Sequence, residues 1–268
     1  MGKSSKDKRD IYYRLAKEKG YRARSAFKLL QINQEFDIFS NVSKVVDLCA
    51  APGSWSQVLS QELRYFAHRN FRPNSDLQIV AVDLQPMAPV EGVAQIQGDI
   101  TKQSTLDEIF KMFGGEKADL VVCDGAPDVT GLHDLDEYMQ SQLITSAYRF
   151  ARAILKEGGN FVAKIFRSAE IVELYSQLSV SFANVFCFKP RSSRMSSMEN
   201  FVVCLNYHNE SLVCSLKDMS IIENEELPVI PFITCGNLDD FPDSDMTYSL
   251  GEDYIYLEPI QPPIRTTT

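Results

Sequence analysis

The feature that most constrains the fold is an apolar strand pattern that runs into a tight turn and then into a helical pattern. The turn lies within Asp47–Gln57, DLCAAPGSWSQ, which carries a Pro-Gly pair. Open α/β sheets bind nucleotide-like ligands at such a junction. We expect Gly53 to let backbone approach a ligand without a Cβ, and Trp55 to place an aromatic face beside the pocket. The turn therefore predicts a cofactor site.

Carboxylates at the ends of apolar segments indicate which kind of ligand this site takes. Neither a Gly-Lys-Ser/Thr sequence nor GxGxxG follows the strand, which disfavours polyphosphates and dinucleotides. Two further apolar segments end at Asp83 and Asp124, and Asp99 follows a shorter apolar run. One such acid is as often a helix cap or turn residue. Three at equivalent positions would line one crevice and accept hydrogen bonds from a neutral or cationic nucleoside.

Strand and helix patterns alternate through the middle of the chain. Strands are predicted near 45–48, 79–83, 93–97, 120–123, 159–165, 184–188 and 199–206. Helices are predicted near 25–34, 55–63, 104–113, 135–156 and 169–179, and the polar segment 64–77 is predicted to be a variable loop. This alternation is typical of a doubly wound α/β sheet. A chain of 268 residues with 44% hydrophobic content suffices for one large core plus an extension.

Three segments together resemble the RrmJ/FtsJ-like ribose 2'-O-methyltransferases over residues 1–208. They are Asp47–Gln57, Asp83–Pro86 (DLQP) and Asp124–Asp128 (DGAPD). The opening GKSSKDKR and the segment Asp128–Tyr138 resemble the branch that modifies the anticodon loop of transfer RNA in the eukaryotic cytosol. The resemblance implies a Rossmann-like, mostly parallel seven-stranded sheet, with helices on both faces and its last strand antiparallel. It also implies S-adenosylmethionine as cofactor, surrounded by Gly53, Trp55, Asp83, Asp99 and Asp124.

A base is needed to remove the proton from a ribose hydroxyl. Lys164 is the candidate, because a lysine inside an apolar strand pattern is costly unless it is paired or neutral. Burial and a second cation such as Lys28 would favour the neutral amine, whereas neighbouring acids would oppose it. On its own, Lys28 is better explained by the polar face of a helix. The resemblance places the family's Lys-Asp-Lys-Glu catalytic tetrad on Lys28, Asp124, Lys164 and Glu199.

The net charge of -9 conceals two ends of opposite sign. Residues 1–28 carry ten Lys or Arg and three acids, whereas residues 209–268 carry two basic and twelve acidic residues. A basic segment with interleaved aromatics is typical of binding to unpaired RNA, although a solubilising terminus has the same composition. A second basic loop precedes Glu199. The predicted RNA-binding residues are therefore Arg22, Arg24, Lys189, Arg191 and Arg194.

The C-terminal segment 209–268 is predicted to be an acidic, proline-containing extension of the methyltransferase domain 1–208. It would be either a disordered tail or a segment that docks on a partner. The resemblance implies two accessory subunits, a large helical-repeat protein for position 32 of transfer RNA and a WD-repeat protein for position 34, the first anticodon base.

Other features favour a cytoplasmic protein without a metal. The six cysteines form no Cys-x-x-Cys pair, which suits a reducing compartment, and the three histidines are scattered. No run of eighteen apolar residues or secretory core is present. Two alternatives stay open: the same chemistry on ribosomal RNA or an mRNA cap, and an RNA-binding adaptor without catalysis.

Overall fold

The structure is a computed structural model that describes residues 10–69, 76–127, 133–166, 171–194, 196–208 and 229–234. Its helices are α1 Ile11–Glu18, α2 Ala26–Phe36, α3 Ser54–Arg69, α4 Gln103–Met112, α5 His133–Ile154 and α6 Ile171–Ser181. Its strands are β1 Lys44–Leu48, β2 Gln78–Asp83, β3 Val93–Gln97, β4 Ala118–Cys123, β5 Leu155–Phe166, β6 Phe182–Lys189, β7 Glu199–Tyr207 and β8 Phe232–Thr234. None of these helices is long and apolar enough to cross a bilayer.

The strands form one mixed sheet in the order β3-β2-β1-β4-β5-β7-β6-β8. Strands β1 to β5 run parallel to one another, and β7 is antiparallel to both β5 and β6. The predicted α/β fold with an antiparallel last strand is confirmed, except that the sheet has eight strands instead of seven. Because β1, β2 and β4 are parallel, their carboxyl ends share one edge, which brings Asp83 and Asp124 together.

Alternating side chains of the central strands supply two hydrophobic cores. In β4, Val121 and Cys123 pack toward α4, α5 and α6, whereas Leu120 and Val122 pack toward α2 and α3. All six residues of β4 are buried, as expected for a parallel strand covered by helices on both faces. No disulfide joins the cysteines within the described residues, which are Cys49, Cys123, Cys187 and Cys204.

Two elements that precede β8 in the chain differ from the sequence predictions. Helix α1 was not predicted; Asp10 caps it by accepting a hydrogen bond from Tyr13 N at 3.1 Å. The segment 64–77 is not wholly a loop, because α3 continues to Arg69. Phe66 packs against the core one turn after Leu63, and this contact favours the additional helical turn. Residues 70–75 lie outside the described ranges.

Strand β8 was also absent from the prediction, because three residues carry too little periodicity. It pairs in parallel with the outer edge of β6, and Cys187 N donates to Pro231 O at 2.9 Å. Ile230 packs against one hydrophobic core and Ile233 against the other. Part of the predicted extension therefore joins the sheet, so the boundary after residue 208 does not separate all of 209–268 from the methyltransferase domain.

Candidate active site

Two charged residues that are far apart in sequence form a buried ion pair. Lys28 lies on α2 and Glu199 begins β7, yet Lys28 Nζ donates to Glu199 Oε2 at 2.7 Å. Lys28 is only 9% exposed, so it does not occupy a solvated helix face. The second carboxylate oxygen, Glu199 Oε1, accepts a hydrogen bond from Ser193 Oγ at 2.7 Å. Both oxygens of this carboxylate are therefore held by donors from other parts of the chain.

The other two tetrad residues meet at the carboxyl edge of the sheet. Lys164 lies in β5, and Asp124 directly follows the neighbouring strand β4. Lys164 Nζ donates to the main-chain oxygen of Asp124 at 2.7 Å and lies 3.2 Å from Asp124 Oδ1. Across β5 and β7, Lys164 is opposite Phe201, two residues from Glu199. The structure thus brings the four predicted residues into one charged cluster.

The acids decide the protonation state of this cluster. Burial alone would lower the pKa of Lys164, but Asp124 and Glu199 outweigh it, so the pKa is raised above its ordinary value. Burial would raise the pKa of Glu199, but Lys28 and Lys164 hold that pKa below its ordinary value. In this state Lys164 is an ammonium and Glu199 a carboxylate. The neutral amine is therefore a minority species at neutral pH.

A cleft of about 610 Å³ opens beside this cluster at the ends of β1, β2, β3 and β4. Asp83, Asp99 and Asp124 all line it, so the three predicted carboxylates do converge. The volume falls within the usual range for small-molecule sites, roughly 300 to 1,000 Å³. A group of three acids beside a partly apolar wall suits a cationic nucleoside.

The carboxylates of the cleft are held by backbone hydrogen bonds and keep acceptor capacity. Asp83 accepts from Ala51 N at 2.9 Å and from Gln85 N at 2.7 Å, one bond to each oxygen. Asp99 Oδ1 accepts from the amide and the hydroxyl of Thr101, and these bonds lower the pKa of Asp99. Each carboxylate oxygen has two lone pairs, so both side chains can still accept hydrogen bonds from hydroxyls of a ligand. The residues present therefore fit an adenosyl cofactor.

Two predicted cofactor residues do not line the cleft. Trp55 is 2% exposed, donates from its indole to Ser25 O at 2.9 Å and packs against Phe201 in the core. At Gly53, φ is +103°, and an added Cβ would lie 2.5 Å from an Arg22 nitrogen and 2.7 Å from Met87 Sδ. Gly53 is thus required by its backbone conformation, and the neighbouring Arg22 and Met87 side chains would have to shift to admit a Cβ. Both residues therefore build the turn, and their contact with the cofactor stays a prediction.

The predicted RNA-binding cations are largely engaged within the protein. Arg22 donates to Pro52 O at 2.9 Å, Ala88 O at 2.8 Å and Pro89 O at 2.7 Å. It thus joins the turn before α3 to the segment after β2. Because its guanidinium is shared among three carbonyls, Arg22 holds these two segments together, and its contact with RNA stays a prediction.

Asp10 forms ion pairs with two more of these cations. Arg194 donates to Asp10 Oδ2 at 2.8 Å, and Arg24 forms an ion pair with the same oxygen and donates to Ser192 O. Lys189 donates to the main-chain oxygens of Ser197 and Glu199, and Arg191 is half-buried. These contacts fasten the basic loop beside Glu199. Arg24, Arg194 and Lys189 therefore have structural roles, and contact of all four residues with RNA stays a prediction.

The sequence interpretation missed two residues that position the cluster. Ser193 holds Glu199, as described above. Gln140 on α5 donates to Lys164 O at 3.0 Å and to Gly125 O at 3.3 Å, joining β5 to the segment after β4. No sequence signal pointed to Gln140, whereas Ser193 lay inside the basic loop already singled out. Across the described ranges, no three His, Cys, Asp or Glu side chains are grouped so as to hold a metal ion.

Sequence comparison decides the family. The family model for FtsJ-like methyltransferases matches residues 21–207. The chain belongs to the FtsJ-like methyltransferases. Methyltransferases of this family use S-adenosylmethionine, and a cleft lined by carboxylates suits this cationic cofactor. The motif Asp128–Tyr138, which suggested the transfer RNA branch, lies outside the described residues as far as residue 132.

Relatives extend over nearly the whole of this FtsJ-like chain. A human tRNA (cytidine(32)/guanosine(34)-2'-O)-methyltransferase is 54% identical, with 98% of this chain and 82% of the relative covered. The Schizosaccharomyces pombe protein of the same name is also 54% identical, covering 98% and 94%. Among solved structures, a protein described as a ribosomal RNA methyltransferase from Plasmodium falciparum has a TM-score of 0.61 at 23% identity, covering 70% of this chain and 98% of that one. This last likeness concerns the fold.

Proposed function

We propose that this chain methylates ribose 2'-hydroxyls at positions 32 and 34 of transfer RNA, with S-adenosylmethionine as methyl donor. The observation that carries the proposal is the cluster of Lys28, Asp124, Lys164 and Glu199 beside the acid-lined cleft. The names and near full-length coverage of the 54% identical relatives support the choice of transfer RNA.

The chemistry requires a base close to an electrophilic methyl group. S-adenosylmethionine, when bound, supplies that methyl group on a sulfonium. Asp83 and Asp99 would hold its ribose and base, and Asp124 would border both the cofactor and Lys164. Lys164 accepts the proton of the 2'-hydroxyl as a neutral amine, becomes an ammonium, and later releases the proton to solvent. Alignment of the ribose 2'-oxygen with the methyl carbon also accelerates the reaction.

The ion pair of Lys28 and Glu199 affects the pKa of the proposed base, Lys164. Glu199 interacts with both lysines, and its charge raises the pKa of Lys164. Lys28 reduces that effect, because it pairs directly with Glu199 at 2.7 Å. We assign Lys28 and Glu199 the role of orienting the amine and the ribose, which requires both side chains to keep their buried positions.

Accessory subunits belong to the same proposal. The resemblance implies a WD-repeat protein for position 34 and a helical-repeat protein for position 32, and we assign their docking to the acidic segment 209–268. We place the reaction in the cytoplasm, where anticodon-loop modification by this branch occurs. The chain lacking residues 209–228 should keep binding S-adenosylhomocysteine but lose association with these subunits if the segment docks them.

Mapping of the methylated nucleotide tests the proposed function. Transfer RNA from cells lacking the protein is incubated with the full chain, S-adenosylmethionine and each candidate subunit, and ribose methylation is read by mass spectrometry. The expected products carry 2'-O-methyl groups at positions 32 and 34. Methylation only on ribosomal RNA or an mRNA cap, or no methylation of any of these RNAs, would refute the proposal.

A further inference from the structure

A second cavity, of about 260 Å³, shares no lining residue with the cofactor cleft. It is enclosed by α1, the turn at 20–24, the first half of α3 and the segment 89–91. We call it the basic pocket and define it by Tyr13, Lys17, Tyr21, Arg24, Gln61 and Arg64. The proposed reaction makes no use of it.

Hydrogen bonds between its walls hold the basic pocket in shape. Gln57 accepts from Arg22 N at 2.8 Å and donates to Gly20 O at 3.0 Å, so α3 is fixed to the turn at 20–24. Arg22 donates to Pro89 O at 2.7 Å, and Ser60 Oγ donates to Glu91 O. The pocket therefore exists before any ligand binds, as is usual for binding sites of small groups.

The lining combines positive charge with aromatic rings. Four cations, Lys17, Arg22, Arg24 and Arg64, stand against one acid, Glu91. The pair of Arg64 and Glu91 is at the surface, with Glu91 88% exposed, so an anionic ligand would displace it at little cost.

Two tyrosines provide aromatic surface, and ring packing holds one of them, Tyr21, in place. Tyr21 packs edge-on against the buried Phe27, with ring centroids 5.9 Å apart. Lys17 Nζ lies 4.8 Å from the centroid of the Tyr13 ring, placing a cation next to an aromatic face. Aromatic rings beside cations are the combination that binds unpaired nucleotides: the rings stack on a base and the cations bind its phosphate.

One wall of the basic pocket adjoins the catalytic cluster. Arg24, which lines the pocket, donates to Ser192 O, and the next residue, Ser193, holds Glu199. Lys28 follows Arg24 by four residues. An RNA strand whose 2'-hydroxyl is at Lys164 would therefore pass close to the pocket with an adjacent part of its chain.

We propose that the basic pocket binds one nucleotide of the RNA substrate, close in sequence to the nucleotide that is methylated. Its volume lies just below the usual range of roughly 300 to 1,000 Å³, which suits one base with its phosphate at the rim. Tyr13 and Tyr21 contact the base, and Lys17 and Arg64 contact the phosphate. This inference rests on the proposed function, since it names a further contact for the same RNA.

The test compares two double variants that remove the same charge. Lys17→Ala/Arg64→Ala changes the pocket, whereas Lys111→Ala/Lys117→Ala changes exposed lysines on and after α4. Affinity of each full-length chain for a transfer RNA transcript is measured by fluorescence anisotropy at several salt concentrations. We expect about tenfold weaker binding for the pocket variant and a salt slope reduced by about one, relative to the control. Binding of S-adenosylhomocysteine and the melting temperature show that each variant is folded.

A single-residue series tests stacking separately from charge. Tyr13→Ala should weaken RNA binding at least about fivefold, and Tyr13→Phe should restore it, because every base can stack on either ring. Equal RNA affinity of the pocket and control double variants, with Tyr13→Ala unchanged, would overturn the inference.

Failure of this inference can be told apart from failure of the proposed function. If the wild-type chain leaves transfer RNA unmethylated while the pocket variant still binds RNA more weakly, the proposed function fails and the pocket stands. If the wild-type chain methylates transfer RNA while the pocket variants bind RNA as tightly as it does, the proposed function stands and the pocket fails.

Discussion

Lys28 Nζ and Glu199 Oε2 lie 2.7 Å apart, although 171 positions separate the two residues along the chain. Helix α2 and strand β7 bring them into direct contact within one charged cluster, beside Lys164. The cost of burying these ions is reduced because each has a partner and Glu199 has a second donor in Ser193. Loss of either partner would therefore leave a buried charge uncompensated.

Removal of the Glu199 charge should impair both turnover and folding. Glu199→Gln leaves Lys28 and Lys164 without their shared counter-charge, so we expect a loss of stability of about 3 kcal/mol. Turnover should fall about 100-fold or more, since the ribose and the amine are no longer aligned. Denaturant unfolding and single-turnover methylation measure the two effects. The matched control is Glu108→Gln on the exposed face of α4; equal behaviour of the two variants would contradict the assigned role.

Arg22 should act on both the cofactor cleft and the basic pocket. Its guanidinium joins Pro52 to Ala88 and Pro89, so Arg22→Gln frees the turn next to Ala51, which lines the cofactor cleft. We expect about tenfold weaker binding of S-adenosylhomocysteine by calorimetry, because several hydrogen bonds of a half-buried cation are lost. RNA affinity should also fall relative to Arg69→Gln, an exposed control at the end of α3, because Arg22 lines the basic pocket and joins two of its walls. Binding of S-adenosylhomocysteine and RNA equal to that of the control would contradict this role of Arg22.

Asp47 makes stability depend on pH. Burial is the main cause that raises the pKa of Asp47 to about 7, against a hydrogen bond from Ser56 that lowers it. The folded state therefore binds a proton more tightly than the unfolded state, and stability contributed by this group is present at low pH and is lost as pH rises toward about 7. Asp47→Asn should gain stability relative to wild type more at about pH 8 than at about pH 5.5.

Thermal melting at the two pH values tests this expectation for Asp47. Asp107→Asn on the exposed face of α4 is the control, since its carboxylate stays in solvent. A stability difference between Asp47→Asn and wild type that is the same at both pH values would show that the Asp47 carboxyl does not titrate in this range.

Strand β8 should contribute to the stability of the sheet. Ile233 packs against a hydrophobic core while its strand pairs with β6. Ile233→Ser should cost about 1 to 2 kcal/mol in urea unfolding, because a half-buried apolar side chain is replaced by a hydroxyl. Thr234→Ala, an exposed neighbour, should have little effect. If both variants unfold like wild type, β8 is not part of the stable sheet.

The sequence predicted those helices and strands that are long enough to show a regular pattern of apolar residues. Apolar runs ending at Asp83 and Asp124 indicated the strands, and parallel order then placed their ends at one edge. Periodicity says nothing of a three-residue strand such as β8, whose position depends on the edge of β6. It also left the end of α3 undetermined, because the contact of Phe66 with the core is tertiary.

The sequence predicted which residues form the site, but it was less successful in predicting what each residue does there. The tetrad converges because α2, the end of β4, the last part of β5 and the start of β7 meet at one place, and the family resemblance had named the four residues that these elements carry. Residue type did not distinguish Arg22 or Arg24 as RNA contacts from internal hydrogen-bond donors, since a cation suits either. Likewise, Trp55 has an aromatic face wherever it lies, and only packing against Phe201 shows that the face is internal.

The dependence of single-turnover methylation on pH tests the central claim, that the Lys164 amine removes the ribose proton. Because Asp124 and Glu199 raise the pKa of Lys164, the neutral amine is scarce near neutrality. The rate should therefore rise about tenfold per pH unit between about pH 6.5 and 9 with saturating RNA and S-adenosylmethionine. Lys164→Ala should lose this rise and nearly all activity while still binding S-adenosylhomocysteine. A rate that is independent of pH in the wild type, or an active Lys164→Ala enzyme, would contradict the account.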